Sequence, residues 1–412
     1  MTPFYGWVVA GGAFVVLFFA YGAQYSFGVF FAALLDEFHW SRASLSGVFS
    51  LYAFLYCVLG FPAGRLTDRW GPRAVITCGA VFLGGALALM SRVTSLWQPY
   101  LVYGILAAIG MGTAYVPCHS TVVKWFLRRR GLAVGLASTG ASAGMIALPP
   151  VAQALAGSVG WRWAYLAFGI AVFVILAGVA RVMRRDPESM GLHPDGDPAP
   201  PPAGALAGDG DWPLGRALRT RAFWLIGAAF AATWLPVFVP LVHLVPFTRD
   251  LGHTTAMGAW VVSVTGLGAL LGRLAMGVVS DRFGRQRTIA GMMVVQAVAF
   301  VGLAAARGLP LTFLSGFLFG FSYGPVSTLF AAIIGDFFGR AQTGSLVGFL
   351  FALSGSMGGL GPVTAGAVYD AVGSYRPTFL GAAALNVAAA GLLLACRPPV
   401  LQSSPVRPRE AR

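Results

Sequence analysis

Three ionisable side chains fall deep inside apolar stretches of this chain: Arg273, His119 and His243. Arg273 lies eight residues before Asp281, which marks a polar turn. At a rise of about 1.5 Å per residue, that puts it ~12 Å into the apolar layer, near its middle. A central arginine costs about 2.5–3.5 kcal/mol on insertion scales, so it is expected to face a cavity or a partner. Its neighbours one turn back, Ala269 and Gly266, leave room. All fourteen acidic residues sit in loops, at stretch ends, in a polar linker or in the tail, so no mid-stretch carboxylate is available to neutralise it. A guanidinium in that position offers two parallel donors and suits the carboxylate of a small anion. The alternative is an arginine bonded to carbonyls of a kinked neighbour. With one cation in the site, a second substrate charge would be left unmatched in a low dielectric, so a singly charged acid is preferred.

Other candidates surround it. His119 lies five residues before Lys124, with Tyr115 one turn earlier on the same face and Pro117 between them. Its ordinary pKa near 6.5 makes it the proton-coupling candidate, or a substrate contact, against a packed neutral role. His243, between Pro240 and Pro246, is read as packing, with an outer-vestibule role as the alternative. Tyr21, Gln24, Tyr25 and Gly28 share a helical face that either lines a cavity or bonds across helices. Tyr323, in YGP, echoes Tyr115, in YVP, and the two are expected to face each other across an axis relating two halves. Ser142, on a face with Ser138, is read as lining. The expected site is thus Arg273 for the carboxylate, with Tyr25, His119 and Tyr323 orienting the remainder and Gln24, Tyr115 and Ser142 around them. Cys57, Cys78, Cys118 and Cys396 show no metal-type or redox-type spacing, and no metal or cofactor is expected.

These residues need a membrane to position them. Of 412 residues, 57% are hydrophobic and 10% charged, against roughly a quarter charged in an ordinary soluble domain. That excludes a soluble enzyme, a disordered chain and a secreted disulfide scaffold. The first 35 residues carry no Asp, Glu, Lys or Arg, and without a basic leader or a cleavage site this first apolar run is expected to be retained. Cutting at charges and turn clusters gives twelve spans near 5–34, 43–64, 74–91, 97–123, 131–157, 163–183, 222–248, 256–279, 288–306, 309–334, 343–369 and 376–396. Twenty-one of the twenty-eight basic residues fall in alternate connections and the tail, so that side is expected to be cytoplasmic, with both termini there. Membrane topology then accounts for the net charge of +14, and no nucleic acid partner is needed. The stretch DPESMGLHPDGDPAPPPAGALAGDGDWP is rich in Pro, Gly and Asp and reads as a flexible linker. The expected organisation is a six-helix bundle over 1–185, a linker over 186–215, a second bundle over 216–396 and a tail over 397–412.

The halves repeat. GRLTDRWGPR at 64–73 matches GVVSDRFGRQR at 277–287. Asp68 and Asp281 are 213 residues apart, as are Gly131 and Gly344, and Gly160 and Gly373. Duplicated halves place a binding site at their shared interface near the midplane and let the halves rock around it. The two loops resemble the G-x-x-x-D-R-x-G-R-[KR] signature of the major facilitator superfamily. This implies an all-α membrane protein of twelve transmembrane helices in two pseudo-symmetric six-helix bundles. It also implies a cytoplasmic gate drawn from Asp68, Arg69, Asp281, Arg282 and Arg129; the alternative is solvated turn charges with a topogenic role.

Residues 125–140, WFLRRRGLAVGLASTG, closely resemble the fifth-span entry of the proton-coupled monocarboxylate transporters. YGWVVAGGAF at 5–14 is similar to that family's first span, and DPESMGLHPDG looks like its bacterial members and the related oxalate–formate antiporters. The resemblance places Arg273 at the family's carboxylate-binding arginine. It implies a monomeric transporter of the cell inner membrane that moves a small monocarboxylate such as lactate or pyruvate with a proton. Two departures stand out: Ala269 and Tyr25 occupy positions where the symporters often carry Asp and Lys. The rival is an organic-anion antiporter without proton coupling. The oxalate branch would add a cation in the eleventh span, and residues 343–369 contain no Lys or Arg.

Overall fold

The computed structural model describes residues 4–127, 129–197, 214–338 and 343–399. Among them, twelve helices are long and apolar enough to cross a membrane. They are α1 (Tyr5–Phe38), α2 (Arg42–Gly60), α3 (Pro72–Met90), α4 (Trp97–Trp125), α5 (Gly131–Val159) and α6 (Trp161–Ala180). The second set is α7 (Arg221–Asp250), α8 (Thr255–Phe283), α9 (Arg285–Ala305), α10 (Leu309–Phe338), α11 (Leu346–Val372) and α12 (Arg376–Leu394). The helix of α2 runs on to Trp70.

The repeat seen in sequence is a repeat in space. Within the halves, α3 packs on α6 and α9 on α12. Between them, α5 packs on α8 and α2 on α11. Advancing each helix by six converts one cross-half pair into the other, which is the signature of a pseudo-twofold axis. The signature loops turn alike: Gly71 (φ +81°) and Gly284 (φ +86°), again 213 apart, both adopt a positive φ that a side chain would strain.

Proline sets where several spans break. A proline cannot donate to the carbonyl four residues back. Pro117, Pro240 and Pro362 release the carbonyls of Thr113, Pro236 and Gly358, and the helix lapses into turns at each of these points. Around Pro62, Pro149, Pro150 and Pro325 the helices continue. In α1 the break falls at Ser26, directly after Tyr25, with no proline involved. Irregular backbone at this depth is tolerated where it lines a cavity or is buried in protein.

The linker departs in part from its expected flexibility. Residues 186–197 form short turns, and the Asp195 carboxylate accepts from the backbone N–H of Leu127 (2.9 Å) and Arg129 (3.3 Å). An aspartate that can satisfy two loop N–H groups gives this stretch a fixed seat. Residues 198–213 and the tail beyond 399 lie outside the described residues.

Candidate functional site

Close helix packing positions Arg273. A Cβ at Gly324 of α10 would lie 2.3 Å from the Ala269 carbonyl, and one at Gly272 of α8 would lie 2.1 Å from the Phe321 carbonyl. Only glycine lets α8 and α10 come this near. The approach brings Arg273 Nε to 3.4 Å from the Gly324 carbonyl. Across the seam, Nη1 donates to Ser142 Oγ (2.7 Å) and to the Ser138 carbonyl (3.3 Å). Every partner is neutral, and Nη2 has none among the described residues. Both expectations for Arg273 thus meet in one residue: it bonds a carbonyl beside Pro325 and still presents a donor edge at the junction of the halves.

Aromatic groups converge on this junction. The hydroxyls of Tyr25 (α1) and Tyr323 (α10) lie 3.3 Å apart. Tyr21 stacks near Tyr25 (5.8 Å) and edge-on to Tyr115 (6.4 Å), whose ring lies over His119 (4.1 Å). Phe351 of α11 faces Tyr115 at 6.3 Å with nearly parallel rings. The field of Arg273 reaches Tyr21, Tyr25, Tyr115 and His119. His119 Nδ1 meets the Tyr115 carbonyl and Nε2 meets Ser138 Oγ, both at 2.8 Å.

Arg273, Ser142, His119, Tyr115, Tyr25 and Tyr323 are therefore gathered at one seam. Gln24 has no bond to the other half: it is 2% exposed, its Oε1 accepts from Tyr52 of α2 within its own half, and its Nε2 has no partner among the described residues. The reason is angular: at about 100° per residue, position 24 falls to the far side of Tyr21 from Tyr25. The expected pairing of Tyr115 with Tyr323 is also replaced, since Tyr25 takes Tyr323 and Tyr115 meets Phe351.

The signature loops pair within their halves. Asp68 accepts from Lys124 (2.7 Å), and Arg285 reaches Asp336 and, at 4.0 Å, Asp281. Arg69 and Arg282 are exposed, and the exposed Arg129 donates its backbone N–H to Asp195. Two surface hollows, about 570 Å³ beside Arg219 and Trp224 and about 460 Å³ between Arg73 and Arg181, lie at this arginine-rich end, away from the seam.

Two cross-half ion pairs lie at the opposite end. Arg42 (α2) makes a bidentate pair with Asp250 (α7), both distances 2.7 Å, donates to Tyr375 Oη (2.7 Å) and lies 3.7 Å over the Tyr369 ring. Asp370 accepts from the backbone N–H of Arg42 and Ala43. Arg249 reaches Asp36 at 2.8 Å. Burial holds the Tyr375 hydroxyl well above its ordinary range, so it stays protonated, and its Oη lies 2.9 Å from His243 Nδ1. His243, fully buried, completes the link at the Pro362 carbonyl (3.1 Å). Sequence reading missed this cluster, because nothing in one sequence pairs Arg42 with acids 208 and 328 positions away.

Hydrogen bonds join α5 to α8 across the seam: Ser263 of α8 bonds the Ile146 carbonyl of α5 at 2.7 Å, and Arg273, ten residues on, bonds Ser138 and Ser142. Toward the arginine-rich end, α5 and α8 share no further hydrogen bond among the described residues.

Comparison with known proteins agrees with this architecture. The Major Facilitator Superfamily model matches residues 13–248 and 235–411. Monocarboxylate transporter 11 of Mus musculus is 32% identical over 388 residues, covering 91% of this chain and 84% of its own. Monocarboxylate transporter 3 of Rattus norvegicus is 30% identical over 406 residues, covering 95% of this chain and 79% of its own. Among solved structures, a D-xylose-proton symporter superposes with a TM-score of 0.74 at 15% identity, covering 97% of this chain and 98% of that one.

Proposed function

This chain belongs to the Major Facilitator Superfamily and is a transporter related to proteins named monocarboxylate transporters; from that premise we propose that it carries small monocarboxylates such as L-lactate or pyruvate, together with a proton. Arg273 is the carboxylate socket. Tyr25, Tyr115, His119, Tyr323 and Ser142 surround the remainder, and His119 is the candidate proton carrier. The arginine-rich end is cytoplasmic, so the protein is a multi-pass, monomeric component of the cell inner membrane with both termini inside. Alternating access follows from rocking of the halves: the cluster of Arg42 closes the outer face, and pairs drawn from Asp68, Arg69, Asp281, Arg282 and Arg129 close the inner face in the other state.

One observation carries this reading. Arg273 spans the seam yet is bonded to neutral oxygens alone, and its Nη2 edge is unspent. A carboxylate that displaces Ser142 there gains a bidentate, charge-assisted pair in a shielded site. Arg273 supplies the one permanent positive charge there, which favours singly charged acids, and the aromatic walls suit a small, partly apolar body.

Uptake of labelled L-lactate into proteoliposomes tests the reading. Arg273→Gln should lower uptake on the order of a hundredfold, the loss expected for ~3 kcal/mol of charged hydrogen bonding. Full uptake by a folded Arg273→Gln protein would overturn it. Driving uptake by a pH gradient in one arm and by a counter-anion gradient in the other separates symport from anion exchange.

A further inference from the structure

We propose that Ser138 is the positioning residue that lets His119 gain and lose the coupling proton in step with anion binding at Arg273. This rests on the carboxylate reading above and adds to it the route by which the two ligands sense each other.

The argument is a count of donors and acceptors. His119 Nδ1 faces the Tyr115 carbonyl at 2.8 Å, and a carbonyl only accepts, so Nδ1 carries a hydrogen. Nε2 faces Ser138 Oγ at 2.8 Å. That hydroxyl also lies 2.8 Å from the Val134 carbonyl. Two complete arrangements follow. With His119 neutral, the serine O–H donates to Nε2. With His119 protonated, Nε2–H donates to the serine oxygen and the serine O–H turns to Val134. Both states leave the ring fully bonded, and they differ by one proton on Nε2 and a rotation of the serine hydroxyl. The proton arrives on Nε2 from water on one side and leaves to water on the other; no other bond is made or broken.

His243 shows what a committed histidine looks like. Its Nε2 faces the Pro362 carbonyl and must carry a hydrogen. Its Nδ1 faces Tyr375 Oη, which already accepts from Arg42 at 2.7 Å and so gives its own hydrogen to Nδ1. Ser46 Oγ also lies 3.3 Å from Nε2 and sends its own hydrogen to the Arg42 carbonyl, so it too accepts from that N–H. A second proton on His243 would strand the tyrosine hydrogen. The protein holds that ring neutral, whereas His119 has a partner suited to either form.

Ser138 also touches the other ligand's socket. Its carbonyl accepts from Arg273 Nη1 at 3.3 Å while its side chain serves His119. The groups facing His119 are Tyr115 on its own helix, Tyr21 of α1 through Tyr115, Ser138 of α5, Phe351 of α11 through Tyr115, and the Arg273 charge from α8. None of these is a carboxylate. Imidazolium and guanidinium together would be two positive charges without an anion, and a bound monocarboxylate supplies the missing one. Each ligand therefore raises the affinity for the other, as thermodynamic reciprocity requires.

The test is the pH profile of lactate binding by purified full-length protein. Between about pH 6 and 8, the apparent Kd of the parent should rise about tenfold per pH unit once His119 is mostly neutral. Ser138→Ala removes the acceptor needed by the protonated ring and should flatten that slope, whatever it does to absolute affinity. Ser138→Thr keeps the hydroxyl and should restore the slope. Should Ser138→Ala not fold, His119→Gln carries the test and should be equally flat. A parental slope in either variant overturns the inference, as does a flat profile in a parent that binds lactate. A parent that binds no monocarboxylate at any pH instead overturns the carboxylate reading beneath it.

Discussion

Arg42 is heavily bonded between the halves, and removing it should release the face it closes. Its contacts are two 2.7 Å hydrogen bonds to Asp250, one to Tyr375 and a cation–π contact with Tyr369 at 3.7 Å. A charged hydrogen bond contributes about 1.5–3 kcal/mol when shielded, and an exposed ion pair under about 1. The side chains of Arg42 and Asp250 are 16% and 29% exposed, between those limits, so about 2 kcal/mol is a fair estimate for the group. At 1.4 kcal/mol per decade, Arg42→Gln should raise the population open at that face roughly thirtyfold. Val245 makes a suitable reporter, since it is 1% exposed and its side chain touches Gly28 across the seam. In a Cys78→Ser background, which removes the exposed native thiol, Val245→Cys should react slowly with a membrane-impermeant maleimide. Adding Arg42→Gln should accelerate the reaction by about that thirtyfold factor. Arg285→Gln, which breaks a pair inside one half at the far end, should not. Unchanged labelling in a folded Arg42→Gln protein, or equal acceleration by Arg285→Gln, would show that this cluster is not the lock.

Two further outcomes follow from packing and exposure. Gly324→Ala should lower thermal stability by ~1–3 kcal/mol, because its Cβ must push against the Ala269 carbonyl 2.3 Å away; Gly135→Ala, with open space around it, is the control in the same melts. Lys124→Gln should change the unfolding temperature little, since the Lys124–Asp68 pair is 34% and 64% exposed and such pairs contribute less than about 1 kcal/mol; a loss of several kcal/mol in calorimetry would mean the pair is part of a larger network.

The fold was largely legible because a membrane simplifies the code. Apolar runs of about twenty residues have one use, and the spans drawn from charge and turn clusters end within a few residues of the helices found. The common offset of 213 announced the twofold relation, and the loop glycines at that spacing share a backbone conformation. The site was legible where one residue broke a strong rule: Arg273 in mid-span and His119 beside Pro117. It was illegible where the answer depended on pairing between distant segments. The face of α1 containing Tyr21 and Tyr25 was visible, but not that the helix turns Gln24 inward to Tyr52. Ser138 was visible only as a neighbour of Ser142. Its importance comes from a hydroxyl within reach of both a histidine and a carbonyl, which needs coordinates.

Two of the arginines that bridge the halves, finally, explain each other. Arg42 and Arg273 both cross the seam, and both cost free energy to bury unless compensated. Arg42 has a resident carboxylate on its guanidinium, in Asp250, so its contact is complete and holds one face shut. Arg273 has neutral oxygens only, so its contact is incomplete and can be improved by a visitor. Exchanging those roles would change both: an ionised carboxylate beside Arg273 would compete with an incoming anion until it took up a proton, and an arginine without Asp250 would leave the face at Arg42 without its ion pair. The sequence respects that division, for its acids are kept to the ends of the spans and out of their middles. An aspartate introduced at Ala269, one turn before Arg273 on the same helix and 1% exposed, should therefore pair with it when ionised, so that monocarboxylate binding by that variant weakens as the pH rises and the aspartate loses its proton.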